Sequence, residues 1–170
     1  FEGADWDPKK APEWLAADKL DLPDPYIRME PQLHNVDAVG YESVMLGMFQ
    51  IFYGPENNFC GDRGIPKNTG LIPMYSRDGY NFSRPSRRTF IGSSMYRGAW
   101  DRGYVQSVGG VTIIHGDELW IYYIAFAGDE RYSRLNCRNL HDMESGMYMN
   151  GATGIAKLRR DGFVSFEGKG

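Results

Sequence analysis

Two apolar runs dominate the pattern along the chain. Residues 43–53, "SVMLGMFQIFY", and 118–126, "ELWIYYIAF", are aliphatic and aromatic, are of strand length, and lack the polar positions that a 3.6-residue period needs. Both read as buried strands. Residues 104–114, "YVQSVGGVTII", run through the turn signal "HGDE" into the second of them and predict a hairpin. Residues 32–39, "QLHNVDAV", turn through "GYE" into the first in the same way. Helical patterning is confined to residues 11–19, "APEWLAADK", where it is weak.

A repeated turn organises these strands. "YSRDGYNFSRP" at 75–85 returns in altered form as "LRRDGFVSFEG" at 158–168, 83 positions later. The first unit then comprises strands at 32–39, 43–53, 71–76 and 81–84, the last following Asp78-Gly79. The second comprises 104–114, 118–126, 152–159 and 163–166, the last following Asp161-Gly162. Each unit predicts a four-stranded antiparallel meander. A two-residue type I′ loop needs positive φ at both positions, which Asp tolerates and Gly accepts freely, so the two aspartates read as turn formers rather than as catalytic or metal-binding groups.

The expected fold class is therefore all-β, as two four-stranded antiparallel blades of a β-propeller, with a sandwich as the alternative arrangement. Propellers contain about four blades or more. Two blades leave apolar faces uncovered, which implies a fragment of a larger chain or a partner that completes the ring. The expected division is a preceding blade or linker at 1–29, one blade at 30–99, and a second at 100–170 with a long loop at 127–151.

Composition narrows the function classes. The chain has 170 residues, 42% of them hydrophobic and 24% charged, enough apolar material for one domain of ordinary size. Its 21 glycines, nine prolines and 14% aromatic content suit short strands and tight turns. A formal net charge of −3, with no basic run longer than the pairs Arg87-Arg88 and Arg159-Arg160, argues against an electrostatic nucleic-acid binder. No apolar stretch approaches the roughly 20 residues of a membrane helix. Two cysteines, Cys60 and Cys137, are too few for a disulfide scaffold and lack the paired spacing of a zinc site; no metal and no cofactor is expected.

The ordered motifs "SRDGYNFSRPSRRTFI", "GAWDRGYVQSVGGVTIIHGDELWIYYIAF" and "GIAKLRRDGFVSFEG" resemble the last two blades of the five-bladed propellers of bacterial glycoside hydrolase-like proteins, related to glycoside hydrolase families 32, 43 and 68. The resemblance spans residues 30–168 and rests on the set of motifs in order. It implies a carbohydrate substrate, an extracellular or periplasmic location, and a β-sandwich domain after the last motif. The families use an axial pair of carboxylates with an assisting aspartate, carried by the first three blades. The resemblance therefore assigns none of the three to this segment, although glycosidic cleavage needs such a pair.

In a propeller the entry to strand A and the loop from strand B to strand C share one mouth of the channel, while the two RDG turns fall at the other. Residues 28–34, 97–104 and the long loops "GPENNFCGDRGIPKNTG" and "AGDERYSRLNCRNLHDMESGMYMNG" are thus expected at the functional mouth. Asp101 beside Trp100 is the leading candidate for sugar stacking and hydroxyl recognition. Glu30 and His34 are candidates at the other inner strand, with Asp37 further along it as a binding group or a link to the neighbouring blade. Arg102, Arg63 and His141 are candidates for an acidic or polyhydroxylated ligand. Glu42 and Glu118 are discounted because they lie at the far end. Cys60 and Cys137 lie on the two long loops, where a disulfide is conceivable in an oxidising compartment and two free thiols are the alternative.

Three functions follow as expectations: a glycoside hydrolase whose acid and base lie outside this segment, a carbohydrate-binding or scaffold propeller without hydrolysis, and an interaction propeller unrelated to sugars.

Overall fold

A computed structural model of the protein describes residues 7, 9, 11–135 and 146–163. The chain is all-β, built as two antiparallel sheets. The first contains β1 (Gln32–Tyr41), β2 (Val44–Gly54), β3 (Asn68–Ser76) and β4 (Ile91–Gly92) in that spatial order, and the second contains β5 (Gly103–His115), β6 (Glu118–Phe126) and β7 (Gly151–Arg159). Both are meanders, as neighbouring strands in sequence pair with one another. The segment expected as the last strand of the second sheet is described only at Phe163.

The apolar runs form the central strands because alternate residues find cover on both faces. Toward the second sheet, Met48, Leu71 and Ile91 pack with Val105, Ile121 and Ala125, all 8% exposed or less. On the opposite face, Phe49, Ile51, Ile72 and Met74 form a second core with Leu33, Val36 and Phe82. Between the sheets, Gln50 Nε2 and the Thr69 hydroxyl both donate to the Val105 carbonyl, at 2.9 and 2.8 Å.

Residues 11–18 form no helix. They run as an extended strap over the second core, where Leu15 and Ala17, two positions apart, both turn inward, as an extended chain requires and a helix forbids. Trp14 Nε1 donates to the Tyr80 carbonyl at 2.6 Å, and its ring meets Phe82 edge-on. Arg84 secures the end of the strap. Its guanidinium lies 3.7 Å from the centre of the Phe49 ring and grips the buried Asp21 carboxylate through two bonds of 2.8 and 2.9 Å.

That clasp also explains why the strand expected at 81–84 does not form. Ser83 makes one bridge to Tyr75, then Arg84 turns to Asp21 and Pro85 offers no N–H to continue the ladder. Pairing with β3 resumes only at Ile91, opposite Leu71. The turn before it is not type I′ either, because positive φ is confined to Gly79 at 78–79 and to Asp161 at 161–162. Asp78 instead uses its carboxylate, which accepts from the Tyr80 and Asn81 backbone N–H groups at 2.9 and 2.7 Å and from the Asn81 amide at 2.7 Å.

The two RDG turns sit at the end of the sheets that carries the β1–β2 and β5–β6 hairpin turns. There the Tyr41 hydroxyl donates to Asp161 at 2.5 Å, and Arg160 pairs with Glu42. A cavity of about 460 Å³ between Tyr41, Leu46, Met74, Pro85 and Phe163 lies at this end.

Candidate functional site

The opposite end is built by strand entries and by the loops from β2 to β3 and from β6 to β7. A short helix, α1 (Asn57–Arg63), interrupts the first loop, and a 3-10 turn, Glu130–Tyr132, opens the second. The two loops touch: the Arg134 N–H donates to the Gly61 carbonyl at 3.1 Å, and Arg134 pairs with Asp62 at 3.3 Å. Gly64 ends α1 in the left-handed region at φ 66°, and a Cβ there would stand 2.4 Å from the Asp129 carbonyl oxygen. Only glycine admits this approach.

Within this rim lies a cluster of rings. Phe52 from the end of β2, Tyr104 from the start of β5, Phe126 from the end of β6 and Tyr148 from the second loop converge with His34 near the start of β1. Tyr104 is central. Its ring meets Tyr148, Phe126 and His34 edge-on, at centroid distances of 5.1, 5.7 and 5.5 Å, and its hydroxyl lies 3.0 Å from His34 Nε2. A backbone φ of +50° places it so, in a region that bulky side chains seldom occupy. The Tyr104 N–H donates to the Lys67 carbonyl at 2.7 Å, which holds this conformation.

The Lys67 side chain enters the same cluster. Alternation along the strand that becomes β3 puts Lys67, Thr69 and Leu71 on one side, facing the second sheet. Lys67 is 8% exposed, and its ammonium lies 5.6, 5.9 and 5.8 Å from the centres of the Phe52, Tyr104 and Tyr148 rings. Burial, and then the Lys67 charge, hold the His34 imidazole below its ordinary pKa and favour its neutral form. Burial pushes the nearby Cys60 thiol up to about 11, partly opposed by Lys67, so Cys60 stays protonated.

Of the candidates read from sequence that lie among the described residues, only His34 joins this cluster. Glu30 is exposed ahead of β1 and takes no hydrogen bond among the described residues. Asp37 points between the sheets and accepts from the Ser107 hydroxyl of β5, so it is a link to the neighbouring sheet. Trp100 lies on Tyr123 and over Gly154, three residues in from the Phe126–Gly151 end of the sheet. Burial, and then the Asp101 charge, raise the Tyr123 pKa, so Asp101 acts on the tyrosine that Trp100 packs against. Arg102 is engaged at 3.0 Å by Glu130, which also binds Arg97. Arg63 stacks at 3.9 Å on Phe59. His141 and Cys137 lie outside the described residues, so the disulfide expectation does too.

Sequence reading missed Lys67, Phe52, Tyr104, Phe126 and Tyr148. A strand drawn from residue 68 instead of 71 would have carried the alternation back to Lys67; nothing in the sequence marks the positive φ of Tyr104. Among the described residues no three His, Cys, Asp or Glu side chains gather in a way that could hold a metal ion. The cluster can stack on a flat apolar face and donate hydrogen bonds from a phenol and an ammonium. It presents no pair of carboxylates for acid and base work. Set against protein-family models, curated proteins and solved structures, the chain gives no match.

Proposed function

We propose that this chain is part of a carbohydrate-active, glycoside hydrolase-like β-propeller and supplies aromatic wall and subsite contacts at the mouth of its channel. The observation that carries the reading is the ring cluster of Phe52, Tyr104, Phe126 and Tyr148 around His34, where the entry ends of both inner strands meet. Aromatic faces beside a few fixed polar groups are what sugar rings stack on.

The propeller reading draws support from the face-to-face stacking of two meanders and from what the outer face of the second sheet offers. Ile113 and Ile155 are 43% and 45% exposed there, beside half-buried Trp120, Tyr122 and Ile124. Such a face suits a further sheet stacked as the second is on the first. In this reading the catalytic carboxylates lie outside residues 1–170, in the remaining blades, and the protein works outside the cytoplasm.

A second reading, a carbohydrate-binding propeller without hydrolysis, is favoured by the lack of paired carboxylates in the described cluster. A panel of neutral and acidic oligosaccharides, scored for binding and for release of reducing ends by the 170-residue chain, tests the assignment. Binding without release is expected. Failure to bind any glycan would contradict it, and release by this chain alone would overturn the placement of the carboxylates elsewhere.

A further inference from the structure

We infer that Lys67 is the seat for an anionic group on the ligand, so that the saccharide recognised at this mouth is acidic, bearing a carboxylate or a sulfate. This rests on the carbohydrate reading above and names the substrate class for the same site.

Lysine is among the residues least often buried without a charged partner. Lys67 is 8% exposed, yet among the described residues its ammonium has no hydrogen bond and no ion pair, only the faces of Phe52, Tyr104 and Tyr148. Ring faces attract a cation but do not accept its three N–H bonds as a carboxylate would. Such a charge needs either water or a ligand.

The ammonium keeps a solvent contact. Gln50 Oε1 is the one side-chain polar atom among the described residues that is both sealed from solvent and unpartnered, so the Lys67 ammonium, which is also unpartnered, is not sealed. The ammonium therefore has an opening to solvent beside these rings.

The groups around that opening share one sign of chemistry. His34 is held toward its neutral form, and the Cys60 thiol is held protonated, so neither supplies a counter-charge. Among the described residues no carboxylate pairs with Lys67: Asp37 binds Ser107, the Asp101 charge acts on Tyr123, and Glu30 is exposed ahead of β1. An anion entering here meets a positive charge that no described residue compensates, in surroundings of low polarity, where each charge-assisted hydrogen bond contributes more than at an exposed surface. The rings that flank the charge then stack on the sugar that carries it.

The test is isothermal titration of the 170-residue chain with trigalacturonate, with a sulfated galacto-oligosaccharide, and with neutral oligosaccharides of matching length. The variants Lys67→Met and Lys67→Arg are titrated in parallel. Tighter binding of either acidic ligand than of its neutral counterpart is expected. Lys67→Met should weaken the acidic ligand about tenfold or more while sparing the neutral one, and Lys67→Arg should retain the preference. The arm that binds distinguishes carboxylate from sulfate.

If Lys67→Met does not fold, the Lys67 Hε–Cε signal of the wild-type protein, assigned through Lys67→Arg, replaces it. A shift of that signal with the acidic ligand and none with the neutral one supports the seat; no shift with saturating acidic ligand overturns it. Equal binding of neutral and acidic ligands, or a preference that survives Lys67→Met, overturns the inference and leaves the carbohydrate reading standing. Failure of every saccharide to bind overturns both.

Discussion

The Tyr104 hydroxyl lies 3.0 Å from His34 Nε2 and joins the inner strand of one sheet to the inner strand of the other. The joint depends on a backbone conformation, since a φ of +50° turns the Tyr104 side chain out of the ordinary alternation of β5. The same turn brings its N–H to the Lys67 carbonyl, so the three residues are set as a unit.

His34 should titrate below 6.5, because burial and then the Lys67 charge disfavour its protonated form. A depressed native value means that the unfolded chain takes up a proton more readily than the folded one. The stabilisation is fully present above 6.5 and is lost as the pH falls below it and through the native value. An NMR titration of the His34 Hε1 signal checks this: a midpoint below 6.5 is expected, and His34→Gln should flatten the corresponding loss of stability on acidification.

Asp78 organises its turn only while ionised. Hydrogen bonds from the Asn81 side chain and backbone, then from Tyr80 and Ser76, hold its carboxyl well below the ordinary 3.8. Its contribution is thus present above 3.8 and is lost as the pH falls. Asp78→Ala should lower Tm at neutral pH, and the gap to the wild-type protein should start to narrow as the pH falls below 3.8 and go on narrowing toward the native value, still open at pH 2. Thermal melts across that range, for both proteins, measure it.

Arg84 both completes the face over Phe49 and neutralises a buried carboxylate. The Asp21 side chain is wholly buried, and Arg87 contacts it at 3.2 Å, so Arg84→Met leaves one of its two cationic partners. A loss of about 3 kcal/mol is expected, at the lower end for breaking a buried pair. Urea denaturation gives the value, and cleavage in residues 11–22 by a protease at native conditions should rise in parallel, because the strap loses its anchor.

The fold was legible where long apolar runs met hairpin turns. β1, β2, β5, β6 and β7 lie where alternation and turn residues put them, to within a few residues at either end. Legibility failed where a distant partner decides. Nothing local to Ser83 and Arg84 announces that Asp21 will draw the chain off its ladder, and "APEWLAADK" reads as weak helix until the core beneath Leu15 and Ala17 is known. The site failed for a related reason. Candidate choice favoured carboxylates near aromatics in sequence, such as Asp101 beside Trp100, whereas the cluster gathers residues from four strand ends and a loop, around a tyrosine whose positive φ has no glycine to mark it.

The most direct test of the account is to map where a saccharide binds. Aromatic ¹H–¹³C spectra of the chain, recorded while an acidic oligosaccharide is titrated, report on every ring at once. Shifts concentrated on Phe52, Tyr104, Phe126, Tyr148 and His34, with Trp100 and Tyr123 unmoved, are the predicted result. Shifts centred on Trp100 and Tyr123, with the Tyr104 cluster silent, would contradict it.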